Sequence, residues 1–345
     1  MLDAAARQGF GVAQKSHAND KRRMNPALPA RLRARIDASL DGVSRKDLAA
    51  RASAISAAYR SGDASAAAVA DETSAIAYVL SRMPATYAVA MSVFEAVREA
   101  SPDFAPRSLL DAGCGPGTAS WAALETWGEV AQATMADSNP AFLGMAKRLA
   151  ADLPTGFNWL ALELEQLASP RADLVTAAYV LAEIADAKLS KVVTGLWAVT
   201  NEVLVLIEPG TPDGFRRIRA AREQLIASGG HVLAPCTHDA PCPITGSDWC
   251  HFSQRLPRSR DHLMVKSASV PFEDERYSYV ALTRRQVERS NTARIVGPPE
   301  VTKAGVTLPL CTERGLHQAF VSRRQRDVFA TLRKAKWGDT ILSQE

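Results

Sequence analysis

The chain has 345 residues, a net charge of +4 and an isoelectric point near 8.8, mildly basic and compatible with nucleic acid without demanding it. Hydrophobic residues make up 47% and charged residues 23%, a balance that excludes a disordered or low-complexity chain. No apolar run reaches the ~18 residues of a membrane span and no signal-peptide core follows the N-terminus, so neither membrane insertion nor export is expected. Residues 1–26 lack clean periodicity and are expected to form a flexible arm, with Met24 an alternative start. Residues 27–104 read as a helical subdomain. Leu28, Leu32, Ile36 and Leu40 recur at helical spacing, and Ser44 opens a run through Leu48, Ala52 and Ile55. Ala-rich 64–80 and 85–99 follow, the latter carrying Tyr87, Met91, Phe94 and Val97.

From 105 to 230 strand and helix alternate, the pattern of an α/β, doubly wound parallel sheet. Strands are expected at 109–112, 133–137, near 158–162, at 173–178 and at 203–207, the last closed by Glu208-Pro209-Gly210. Asn139-Pro140 opens the helix after the second strand. A helix with Leu181, Ile184 and Leu189 is expected after the fourth.

The first strand runs into Asp111-Ala-Gly113-Cys-Gly115-Pro-Gly117 and then a helix. Glycine at every second position permits a turn whose backbone angles a side chain forbids, and lets a ligand approach the backbone closely. The loop is not a dinucleotide fingerprint, whose third glycine would fall at 118, which is Thr118. It resembles motif I of class I S-adenosylmethionine (SAM) methyltransferases. That resemblance implies a Rossmann-like core with SAM held by Asp111, Gly113, Gly115 and Gly117. Asp137, at the tip of the second strand, would take the ribose hydroxyls, and Glu163 or Glu165 the adenine amino group. Amino-methylating enzymes carry Asn/Asp-Pro-Pro-aromatic after the fourth strand; here the segment reads Thr176-Ala-Ala-Tyr179-Val180. No general base is visible, and the catalytic residues are unassigned. The Pro-Cys pairs at 235–236 and 241–242 lie past the fifth strand, out of register for the nucleophile of a cytosine-C5 methyltransferase.

Cys236, Cys242 and Cys250 fall within fifteen residues, in a Pro/Gly-rich insertion at 231–262 with little apolar periodicity, and Cys311 follows about sixty residues later. An odd number of cysteines without an export signal favours metal ligation over disulfides. Four thiolates around one centre would order such a segment. The spacing matches neither zinc ribbons nor bacterial ferredoxins. Zinc and a 4Fe-4S cluster both remain open, with His238, His251 and His262 as alternative zinc ligands. Residues 263–345 supply remaining strands and a basic C-terminal region.

Several segments together resemble the methyltransferase-like family of the ribosomal small subunit, the Rsm-type proteins of mitochondria and their bacterial homologues. They are Arg82-Met-Pro-Ala-Thr-Tyr87, the glycine loop, Ile207-Glu-Pro-Gly-Thr-Pro212, Asp248-Trp-Cys-His-Phe-Ser-Gln-Arg255 and Lys336-Trp-Gly-Asp339. The resemblance implies association with the small ribosomal subunit or its precursor. It also implies a 4Fe-4S cluster on Cys236, Cys242, Cys250 and Cys311. Two functions follow. One is a SAM-dependent methyltransferase acting on rRNA or a ribosomal protein. The other is a non-catalytic, RNA-binding assembly factor whose basic stretches at 216–222 and 323–336 contact phosphates. A monomer is expected, in the bacterial cytoplasm on the Ala/Arg-rich composition, or in the mitochondrion if the source is eukaryotic.

Overall fold

The computed structural model describes residues 26–61, 68–289 and 291–342; all but the last residue of the expected N-terminal arm lies outside them. The chain opens with four helices, α1 (Ala30–Ala38), α2 (Arg45–Ser61), α3 (Glu72–Ser81) and α4 (Met83–Ala100). α3 starts later than the Ala-rich composition suggests, because the Asp71 carboxylate accepts the Ser74 amide and caps the helix there. Pro84 sits in the first turn of α4, where its missing N–H is harmless.

Strands and helices then alternate as β1 (Ser108–Ala112), α5 (Thr118–Thr126), β2 (Gln132–Asp137), α6 (Pro140–Ala150), β3 (Gly156–Ala161), β4 (Ala172–Ala178), α7 (Asp186–Ala198), β5 (Thr200–Pro209) and α8 (Pro212–Ala227). The Asn139 side chain accepts the amides of Ala141 and Phe142 and so starts α6 beside Pro140. The helix expected through Leu181 and Ile184 is instead a single 3-10 turn, Leu181–Glu183, and α7 begins at Asp186. Tyr179 adopts φ +61° there, and the Leu181 amide is taken by Glu208 rather than by a helical carbonyl.

The chain continues through β6 (His231–Ala234), β7 (Phe252–Pro257), α9 (Arg260–Val265) and β8 (Phe272–Thr283). The main sheet has the order β3-β2-β1-β4-β5-β8-β6, with β7 also paired to β8. β1 to β5 are parallel and β8 runs antiparallel between β5 and β6. Both faces are covered, which is why the strands read as unbroken apolar runs. Leu109 points into a core shared with α1 to α6, and its neighbour Leu110 into one shared with α7 and α8. This is a Rossmann-like α/β fold with a mixed sheet.

A second antiparallel sheet follows, from β9 (Thr292–Ile295), β10 (Glu300–Val301), β11 (Gly305–Thr312), β12 (Gly315–Ser322), helix α10 (Arg326–Leu332) and β13 (Thr340–Leu342). Its own core is built on Leu308, Leu310, Val321 and Leu332. A buried ion pair, Arg82 Nη2 to Glu275 Oε1 at 3.0 Å, ties α4 to the far strand β8.

Candidate functional site

The glycine loop lies at the carboxyl end of β1, where open α/β sheets bind ligands. Gly113, Gly115 and Gly117 have φ of +72°, +53° and +85°. Gly113 also lacks room for a side chain: a Cβ there would stand 2.4 Å from Val180 Cγ2. The amides of Gly113 and Cys114 donate to Ala136 O, lashing the loop to β2. The Gly115 amide donates to Asp137 Oδ2 at 2.7 Å, and Asn139 N to Asp137 Oδ1 at 2.8 Å. Ser138 adds a third backbone donor, so the Asp137 carboxylate is held by the main chain and keeps only part of its acceptor capacity for a ligand.

Asp111 is buried, and its Oδ2 accepts from Ser120 N and Ser120 Oγ at 3.0 and 2.7 Å. Its Oδ1 has no partner. Burial raises the Asp111 carboxyl to about 6 against the opposing Ser120 bonds, and burial likewise raises Asp137. Asp111, Gly113, Gly115 and Tyr179 line a cavity of about 30 Å³, roofed by Tyr78 and Thr86 from the N-terminal helices. Cys114 lines this cavity too; burial pushes its thiol well up. Of the adenine candidates, Glu165 is engaged by Lys188 Nζ at 2.7 Å.

The other four cysteines lie elsewhere. Cys236, Cys242, Cys250 and Cys311 line one cavity of about 40 Å³ between the β6–β7 connection, α8 and β11. All are free thiols. As placed, no three His, Cys, Asp or Glu side chains among the described residues form a metal-ligating group, so the thiols ring the space without converging on a point. Burial first, and then the neighbouring cysteines, raise Cys250 well above a normal thiol and Cys311 to about 12. Burial raises Cys242 as well. No Asp or Glu lines the cavity, whereas Arg219, Arg222 and Arg294 do. The chemistry of this donor set, all soft sulfur with cationic walls, fits a metal–thiolate centre.

Of the three histidines, His238 lines the cavity, with Nε2 3.7 Å from Cys311 Sγ. His251 stacks on Trp249 and meets Trp337 edge-on, and His262 faces Glu273. Three of the family-like segments meet here. Trp249 Nε1 donates to Gly210 O at 3.0 Å, joining the Cys250 loop to the end of β5. Ser278 Oγ donates to Cys250 O at 2.7 Å. Gly338, at φ +95°, packs on Phe252, and its carbonyl accepts from Arg294.

Arg222 and Arg294 are not singled out by sequence as site residues. Arg222 does carry a signal: Phe215, Ile218, Arg222 and Leu225 fall on one helical face, so this arginine rides on the apolar side of α8. That also corrects the expected basic face at 216–222. Arg216 is paired with Asp186 and Asp213, Arg219 with Glu223, and Arg222 is buried. The C-terminal stretch differs: Arg323, Arg324, Arg326, Arg333, Lys334 and Lys336 are exposed, and none has an acidic partner among the described residues.

Residues 72–342 match the family described as mitochondrial small ribosomal subunit Rsm22. The human ribosome assembly protein METTL17, mitochondrial, is 30% identical over 292 residues, covering 77% of this chain and 62% of its own. The Schizosaccharomyces pombe Rsm22-cox11 tandem protein 2, mitochondrial, is 27% identical over 328 residues, covering 76% and 42%. The chain thus spans less than two thirds of the length of either relative. Among solved structures, a candidate RNA methyltransferase from Pyrococcus horikoshii shares 14% identity over 59% of this chain and 84% of that one, at a TM-score of 0.40. Magnesium protoporphyrin IX methyltransferase from Synechocystis with bound SAM shares 17%, over 58% and 79%, at 0.39. With a family match over most of the chain and a relative of 30% identity, the protein belongs to the Rsm22 family.

Proposed function

We propose that the protein is a SAM-binding, methyltransferase-like factor of the small ribosomal subunit, acting on rRNA or a ribosomal protein during assembly and carrying a 4Fe-4S cluster on Cys236, Cys242, Cys250 and Cys311. The observation that carries the cofactor assignment is the buried Asp111 carboxylate, whose unpartnered Oδ1 lies beside the glycine-loop cavity. A buried acceptor without a donor is unfavourable by roughly 1–3 kcal/mol, and the ammonium of an amino-acid ligand would supply the donor. The first-turn amides of α5, at Thr118 and Ala119 on the cavity wall, suit that ligand's carboxylate, and the remaining acceptor capacity of the Asp137 carboxylate suits a ribose hydroxyl. Bound SAM would supply an electrophilic methyl group on a sulfonium. The thiol set supports the cluster, and zinc on the same residues is the alternative.

Titration calorimetry with SAM and S-adenosylhomocysteine tests the pocket. Asp137→Ala is expected to weaken both at least tenfold. Equal affinity in the variant, or no binding by the parent chain, overturns the assignment. Transfer from labelled SAM to small-subunit precursors tests catalysis. Anaerobic purification with iron, sulfide and zinc analysis tests the centre: zinc without sulfide excludes the cluster.

A second reading, the non-catalytic RNA-binding factor, is favoured by the unpaired cations around β12 and α10 and by Phe320 beside them, 57% exposed. Reversing Arg323 and Arg324 to glutamate is expected to weaken binding to small-subunit rRNA fragments and to flatten its salt dependence by roughly one unit of slope for each phosphate no longer neutralised. An unchanged salt slope removes this face from RNA binding. The relatives' mitochondrial names support the organellar setting for a eukaryotic source.

A further inference from the structure

The guanidinium of Arg222 stands out among the buried charges of the molecule. Its residue is 3% exposed, at the centre of α8, on the wall of the cysteine cavity. Nη2 donates to the carbonyls of His238 and Ala240 at 2.9 and 2.8 Å. Nε has no partner, and no carboxylate reaches the group among the described residues. The other arginine this well buried, Arg82, has a carboxylate in Glu275. An uncompensated buried cation is strongly unfavourable, so folded proteins pair such groups.

The other polar groups of the cavity have the same bias. Arg294, half-buried, spends its hydrogen bonds on Pro235 O, Gly338 O and Thr340 Oγ1 and likewise meets no acid there. Arg219 reaches Ile244 O through Nη1, and of the three arginines on the wall only Arg219 has an acid among the described residues, Glu223 on its own helix, outside the cavity lining. The cavity wall is therefore cationic, and the groups on it that can become anionic are the four thiols and the Tyr279 phenol, which burial holds protonated. Four thiolates around a core of charge about +2, either zinc or an oxidised 4Fe-4S core, carry a net charge of about −2.

We propose that Arg222 is the internal counter-ion of the cysteine-held centre: its buried charge stabilises the anionic metal–thiolate group, while its two carbonyl contacts fix the His238–Ala240 segment beside Cys236 and Cys242. The proposal rests on the cysteine-held centre put forward under the proposed function. It accounts for an arginine where an apolar residue would otherwise pack better, next to Ile218 and Leu225.

The sign of its effect distinguishes a counter-ion from a purely structural residue. In loaded protein, the Arg222 charge favours the more negative state of the centre. In metal-free protein, the same charge is uncompensated and destabilising. The full-length chain, purified anaerobically, is compared with Arg222→Gln and Arg222→Lys. Arg222→Gln is expected to shorten the half-life of the bound metal in excess chelator at least fivefold and, for an iron–sulfur centre, to shift its reduction potential downward. Arg222→Lys keeps the charge and is expected to stay near the parent on the potential. In a Cys250→Ser background, free of metal, Arg222→Gln is expected to leave the thermal midpoint unchanged or to raise it. A role limited to the two carbonyl hydrogen bonds would lower that midpoint in both backgrounds and leave the potential where it was, which overturns the counter-ion role. A parent chain that binds neither iron nor zinc overturns the centre itself and the proposal with it, whereas a loaded parent with an indifferent Arg222→Gln overturns the proposal alone. Should Arg222→Gln not accumulate as folded protein, the lysine variant and the metal-free background still decide between the two roles.

Discussion

On the four-cysteine centre proposed above, Cys250→Ser is expected to abolish metal binding and to lower the thermal midpoint by roughly 5–10 °C, at about 2–4 °C per kcal/mol for domains of 150–250 residues. The β6–β7 connection explains the size of the effect. Residues 235 to 251 carry no strand or helix, so little backbone hydrogen bonding orders them. Cys250 sits where that segment enters β7, anchored through Ser278 and flanked by Trp249 on Gly210. Cys311 comes from β11 in the other sheet, so a centre on all four residues links the two sheets. Binding energy at a structural metal site is folding energy. Cys114→Ser provides the control: it too places a hydroxyl in a buried thiol site, a change of roughly 1–3 kcal/mol, but outside this cavity. Metal content by elemental analysis, together with protease sensitivity between 235 and 315, separates the two. Equal metal and equal protease resistance in Cys250→Ser would refute a structural centre.

Stability is expected to fall as pH rises from about 4.5 to 8, and Glu208→Gln to remove most of that slope. Glu208, on β5, is fully buried; its Oε1 accepts the Leu181 amide at 2.9 Å, and its Oε2 has no partner. Burial, only partly opposed by Arg217, pushes its carboxyl up to about 8. A carboxyl whose folded pKa lies above its unfolded one holds its proton more tightly when folded. Its stabilisation is therefore complete below the unfolded value and is lost as pH climbs through the folded one. The full swing is roughly 5 kcal/mol at most, at about 1.4 kcal/mol per unit. Asp111 acts in the same direction over a narrower window, up to about 6. Thermal unfolding of both proteins from pH 5 to 9 tests this. A parent whose midpoint is flat over pH 6–8, or a Glu208→Gln variant with the parent's slope, contradicts it.

The parts of this molecule that announce themselves in sequence are those with a short period or a fixed spacing. Leu109 and Leu110 lie on opposite faces of a sheet covered on both sides, so the apolar runs mark the parallel strands directly. The glycine loop needs positive φ at three positions, a demand that few other residues meet. Helix boundaries are less legible where a single side chain decides them, as Asp71 does for α3 and Glu208 does after β4. The cysteines are visible as a set, but nothing local says that Cys311 on β11 faces the β6–β7 connection. Arg222 is hidden by its neighbours, since Arg216, Arg217 and Arg219 make the helix read as a solvated basic face. Its apolar phase is the signal that composition obscures.

The position of Cys311 also sets a timetable for biosynthesis. Sixty-one residues separate it from Cys250, and at about 5–20 residues per second their translation takes roughly 3–12 s. Through that interval Cys236, Cys242 and Cys250 have been made and their fourth companion has not. Until Cys311 is added, the proposed site is a three-thiol set, open to stray metals and oxidants. Any donor to the proposed centre has to wait for Cys311 or protect the three thiols that precede it.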